Sequence, residues 1–283
     1  MTGDQVFNTA CASVANPQGN PSITLFPDNF TLAFEEASET FTAAGSSPFG
    51  DIDASFGPAD IVAEEAGVFT LYFRDSGQTV NGNPFNNVFA FGTPQFNGGS
   101  AEYVRLAELI TIPAGQTVPS SFQCALGIPT ELDDPLPQTV LNFGASLGAN
   151  GTATRLAGTD FTIFSAADSV LSLTADPTNG SIDFTIDVRG RESTPNPAGG
   201  LPILSDTVED LASFSGSTSI DGSVQSFSGL TANDQGLFAG EFSGWFFGPQ
   251  GAEIGIAING QVQLPDASTV SFLVVFGGPQ DTP

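Results

Sequence analysis

Residues 181–189 read Ser-Ile-Asp-Phe-Thr-Ile-Asp-Val-Arg, and no feature limits the fold of this chain more than that pattern. Ile182, Phe184, Ile186 and Val188 point one way while Asp183, Thr185 and Asp187 point the other. A period of two gives a strand with one buried and one wet face. Just upstream, Leu171, Leu173 and Ala175 alternate with Ser172 and Thr174. The connector Asp176-Pro-Thr-Asn-Gly180 carries the Asn-Gly pair that supplies a positive φ, so the two segments are expected to form a hairpin.

The same alternation recurs in 140–147, 152–164, 212–227 with a turn at Asp221-Gly222, 236–247, 252–264 and 269–276. Antiparallel strands joined by short turns either leave sheet edges or close on themselves. The expectation is an all-β chain whose residues 135–283 form an antiparallel up-and-down barrel of about eight strands. Glycines inside these strands, Gly240, Gly244 and Gly255, fit the bending that closure needs. Residues 1–134 are also β-patterned, at 30–34, 40–43, 68–73, 88–91 and 102–112, with longer connections. They are read as an irregular, handle-like β-domain. The stiff, acidic, proline-rich stretch Ile128–Pro137 marks the boundary. Residues 58–67 are the one helix-compatible patch, and Asp51–Ser55 reads as a solvated acidic loop, because Phe56 and Val62 stand where a calcium loop needs Gly and Glu.

Composition then removes whole classes of function. The 283 residues include 31 Asp and Glu, five Arg, no Lys and no His, a formal charge of −26. Such a surface repels polyanions, so nucleic acid is excluded as a partner and anionic membranes are disfavoured. Without His there is no Ser-His or Cys-His nucleophile, and without Lys no Schiff base or P-loop. The expectation is a chain that is not an enzyme and uses no cofactor and no metal. Tyr72 and Tyr103, the only phenols, lie in β-patterned segments and are read as packing residues. The acidic pairs Glu35-Glu36, Glu64-Glu65 and Asp133-Asp134, with Asp206–Asp210, are read as hydrated surface. The 26 Phe can fill real cores.

No apolar run approaches the roughly 20 residues of a membrane-spanning helix. Met1–Asn8 lacks the basic and apolar regions of an intact leader. Cys11 and Cys124 permit one disulfide closing a loop of about 110 residues, worth about 4 to 5 kcal/mol on loop-closure entropy. The sequence leaves their pairing open, with Cys11 as a lipid-bearing residue the lesser alternative.

Two segments resemble the transferrin-binding protein B-like β-barrel family of bacterial surface proteins. Gly244-Trp-Phe-Phe-Gly-Pro-Gln-Gly-Ala-Glu-Ile-Gly255 is similar to that family's late hairpin, in which Gly244, Phe246, Phe247, Gly248, Pro249, Glu253 and Gly255 take matching places. Gly277-Gly278 supplies its closing pair. Gly127-Ile-Pro-Thr130, with Leu136-Pro137, is similar to the entrance to the barrel, through Gly127, Pro129 and Thr130. These residues are expected to fix the hairpin: Gly248-Pro249 turns the chain, Trp245 or the Phe pair fills the barrel, and Glu253 accepts backbone N–H bonds. The resemblance implies an extracellular or cell-surface protein that captures a nutrient or iron-related ligand or protein partner through loops. The alternative is a structural or adhesive protein that self-associates and takes no small ligand.

Overall fold

The computed structural model describes residues 3–15, 22–25, 30–47, 50–80, 82–96, 99–117, 119–194, 202–232 and 238–281. Met1 lies outside them, as does the start of the strand expected from residue 236. Among the described residues all regular structure is β, apart from two 3-10 turns at Pro58–Asp60 and Pro249–Gly251.

The first part of the chain forms a ten-stranded sheet. Its hydrogen-bonded order is Gly50–Phe56, Thr40–Ser47, Phe30–Glu35, Gln5–Ala15, Ser120–Gly127, Val104–Thr111, Asn83–Gly92, Phe69–Val80 and Ile61–Glu65, with Ser22–Leu25 beside Gln5–Ala15. The sheet curls, because its inner face is a band of phenyl rings. Phe41 and Phe56 from one arm meet Phe89 from the other, each with ring centroids 5.3 Å apart. Arg74 ties the arms at the surface, its Nη1 donating to Ser55 O at 2.8 Å and Ser55 Oγ at 2.9 Å. Cys11 and Cys124 sit directly opposite each other in register and form a disulfide across a sequence separation of 113.

Two expectations in this region change. Asp51–Ser55 is not a loop but part of the strand Gly50–Phe56: Ile52, Ala54 and Phe56 are buried and the two aspartates alternate outward. The helix-compatible patch 58–67 is a 3-10 turn followed by the strand Ile61–Glu65, which pairs with Phe69–Val80 around Gly67. Backbone pairing with a formed neighbour outweighs a weak helical propensity.

The second part forms an eleven-stranded sheet. Eight of its strands close a ring: Ser181–Thr194, Asp160–Ser165, Gly148–Ala157, Thr269–Pro279, Glu253–Gln263, Phe238–Phe247, Ser226–Ala232 and Glu209–Ser219, which returns to Ser181–Thr194. The closing pairing runs from Ser181↔Ser219 to Gly190↔Glu209, with one irregularity at Val188/Arg189. Val170–Asp176 and the short strand Leu141–Phe143, less than half of the 140–147 expected, extend the sheet beside the ring. The expected hairpin turns at Gly180, φ +63°. The Asp176 carboxylate accepts hydrogen bonds from the Asn179 side chain and from the N–H groups of Asn179 and Thr178, which hold it below the usual carboxylate range. Inside the ring, Phe184 meets Phe242 edge-on at 4.7 Å and Phe214 stacks on Phe272 at 5.0 Å.

The outer wall of the barrel packs against the outer face of the first sheet. Ala10, Ala12, Val104, Leu106 and Ala125 meet Trp245, Phe247, Ala257, Leu273 and Val275 in a third buried cluster. Strand alternation dictates this split. Phe246 points into the barrel, so its neighbours Trp245 and Phe247 must point out of it and pack in the seam. Trp245 therefore does not fill the barrel, as the sequence suggested it could.

Candidate functional site

The segments singled out in the sequence, about 115 residues apart, lie side by side. Pro129 bridges Phe247, Thr130 N–H donates to Phe246 O at 2.9 Å, and Gly248 N–H donates to Ile128 O at 2.9 Å. The Thr130 hydroxyl donates to Gly248 O at 2.7 Å. Gly248 has φ +70° and lies against the Tyr103 ring, which a Cβ there would strike. Gly127 has no room for a side chain because the Tyr103 carbonyl occupies that space. A Cβ on Gly255 would sit 2.7 Å from that of Ala125. Pro249 opens the 3-10 turn that leads into the strand carrying Glu253.

Glu253 is 4% exposed. Its Oε1 accepts the N–H of Glu102 at 2.6 Å, and its Oε2 accepts those of Tyr103 and Val104 at 2.8 and 2.7 Å. Three converging donors and one carboxylate make charge-assisted bonds, stronger than neutral ones. This side chain fastens the barrel to the chain entering strand Val104–Thr111 of the first sheet.

Beside this junction lies a groove of about 970 Å³. Residues 129–133 form one wall, the turn and strand ends at Thr218, Ser219, Asp221, Ser223, Val224 and Ser226–Ser228 form the other, and Ser243, Gly244 and Trp245 form the floor, with Asn8 at the margin. The Trp245 indole N–H is anchored on Thr9 O at 3.1 Å, which fixes the ring. Three carboxylates face the space: Glu131, Asp133 and Asp221. Asp221 accepts the Ser223 hydroxyl at 2.6 Å and N–H at 2.9 Å, and these bonds hold its carboxyl below the usual range. Leu132, 61% exposed, stands on the rim. Such a lining of hydroxyls, carboxylates and two exposed aliphatic side chains, Leu132 and Val224, suits a polar, cation-bearing surface.

Pro129, Thr130 and Gly244 of the matched motifs line this groove. Among the described residues no three His, Cys, Asp or Glu side chains gather to hold a metal ion. Tyr72 is buried in the first core, where burial, then Glu64 and Glu39, push its phenol up. Two members of the acidic clusters are engaged in ion pairs, Glu209 with Arg155 at 2.9 Å and Asp210 with Arg189 at 2.7 Å. Sequence reasoning missed Glu131, Leu132 and Asp221 as groove residues. Asp221 carried a turn signal only, and nothing local announces that a turn will stand opposite residues some 90 positions earlier.

The class defined by these features is an all-β protein with a closed barrel fastened to a curled sheet. No protein-family model matches the sequence, and no curated protein matches it. Among solved structures, the chain is similar to transferrin-binding protein B from Haemophilus parasuis, at 14% identity and a TM-score of 0.46, over 97% of this chain and 45% of that one. It is also similar to the haemoglobin receptor HpuA from Kingella denitrificans, at 15% identity and a TM-score of 0.40, over 100% of this chain and 88% of that one. A third similar structure is transferrin-binding protein B from Neisseria meningitidis, at 13% identity and a TM-score of 0.35. The chain spans less than half the length of the Haemophilus parasuis protein.

Proposed function

We propose that this chain is a non-enzymatic binding protein, exported or displayed on a bacterial surface, that captures a nutrient- or iron-carrying protein partner through the groove beside the Glu253 junction. The observation that carries the reading is the meeting of residues 129–130 and 244–245 at that groove, with Trp245 as a fixed floor. The junction, on this reading, holds two units, 1–134 and 135–283, so that their loops face the partner together. Three carboxylates and a formal charge of −26 favour a partner that presents Lys or Arg. An iron-carrying protein, rather than a bare ion, is the better fit to a wall of hydroxyls and scattered acids.

The test is surface plasmon resonance with the whole chain immobilised and transferrin and haemoglobin as analytes, the proteins after which the similar structures are named. The expected result is saturable binding to one of them, weakened at least tenfold in a Leu132→Glu, Asp133→Lys double variant, a change of about 1.4 kcal/mol or more. Absence of binding to both, with polymers that grow with concentration in size-exclusion profiles, would replace this reading with the structural, self-assembling one.

A further inference from the structure

A second cavity, of about 280 Å³, opens along the same seam, away from the groove. Its apolar lining comes from both sheets: Val14, Ile110 and Pro119 from the first, Ile163, Phe272 and Leu273 from the barrel. Its volume lies at the small end of ligand cavities. One ionisable side chain lines it, Glu108, which sits on the barrel-facing side of strand Val104–Thr111 with Leu106 and Ile110.

The environment of Glu108 is incomplete for a carboxylate. Oε1 accepts the Gln123 amide at 3.2 Å and, more weakly, the Ser121 hydroxyl at 3.4 Å. Oε2 accepts no hydrogen bond among the described residues, and none of the four ion pairs among them involves Glu108. The other polar groups of the lining, Thr152, Thr154, Ser120, Ser121 and Ser271, are neutral hydroxyls. Burial pushes the Glu108 carboxyl above the usual range, in spite of the opposing bonds from Gln123 and Ser121. Glu108 is half-buried; a carboxylate that has lost part of its hydration without gaining a counter-charge is costly, and a cation brought to it recovers part of that free energy.

We propose that this cavity is a binding site for a small organic amine, with a protonated amino head against Glu108 Oε2 and an aliphatic or aromatic body among Val14, Ile110, Ile163 and Leu273. The amine supplies what is missing, a positive charge and spare N–H donors. A carboxylate ligand would set two anions side by side, inside a protein of strongly negative net charge. A neutral alcohol of the same length fills the apolar volume and forms a hydrogen bond, but only the ammonium makes it charge-assisted.

The test is isothermal titration calorimetry of the whole protein with octylamine, octanol and octanoate at near-physiological salt. Octylamine is expected to bind one to one and about tenfold or more tighter than octanol, with octanoate weakest. Glu108→Gln should bring octylamine down to the affinity of octanol while leaving octanol unchanged. Ile163→Trp, which fills the cavity and spares Glu108, should abolish binding of both, with circular dichroism confirming that the barrel is intact. Equal affinities for the three probes, full octylamine affinity in either variant, several equivalent amine sites, or no octylamine binding would each overturn the proposal.

Discussion

The two sheets solve the same problem in different ways. The barrel joins its last free edge by a hydrogen-bonded ladder from Ser181↔Ser219 to Gly190↔Glu209, so its ring has no open side. The first sheet curls around an equally phenyl-rich core, but its outer strands, Gly50–Phe56 and Ile61–Glu65, do not pair with each other. Ring contacts and the Arg74 bonds to Ser55 hold its arms together instead, while the disulfide at its centre ties two strands that are already paired. Closure by a ladder is distributed over many residues. Closure by side chains concentrates the stability of the first sheet at a few points, and those points can be attacked one at a time.

The largest effect is expected at the disulfide. Replacing Cys11 and Cys124 together by Ala should lower the unfolding free energy by about 4 kcal/mol, as for any loop of this size. Hydrogen exchange should place the loss in strands Phe30–Glu35 and Asn83–Gly92, while Glu253–Gln263 stays protected; equal loss in both sheets would break the comparison. Next comes Glu253→Ala, which strands three N–H donors and should cost about 3 kcal/mol in guanidinium unfolding, with the two sheets losing their common transition. Gly244→Ala should cost about 2 kcal/mol, because the new Cβ meets the Phe227 ring inside the barrel, and this loss should leave the first sheet's exchange pattern unchanged.

Smaller effects sharpen the contrast. The folded protein keeps the Glu108 proton to a higher pH than the unfolded chain does, so stability falls as pH rises from the ordinary carboxylate range through the raised value. Glu108→Gln should remove that slope from a series of thermal melts and be more stable than the parent above it. Arg74→Ala should change stability by less than about 1 kcal/mol, since this side chain is about half exposed, yet it should loosen exchange at Ser55.

The barrel was more legible in the sequence than the curled sheet, for reasons visible in particular strands. Ser181–Arg189 alternates large apolar with polar residues, so its faces are plain. Within Gln5–Ala15, the run Thr9–Ser13 alternates Cys and Ser with Ala and is buried on both faces, and small residues give little contrast. Asp51 and Asp53 concealed a strand because their charge draws more attention than Ile52 and Ala54 between them. The carboxylate role of Glu253 was readable, but its partners at 102–104 were not, since that contact spans about 150 residues. The groove was invisible for the same reason: it exists only where four separated segments meet.

Hydrogen exchange of the whole protein, with and without saturating haemoglobin or transferrin, tests the central reading most directly. New protection confined to residues 128–133, 218–228 and 243–245 is the result this account predicts. Bound partner with protection elsewhere, and none at those segments, would contradict it.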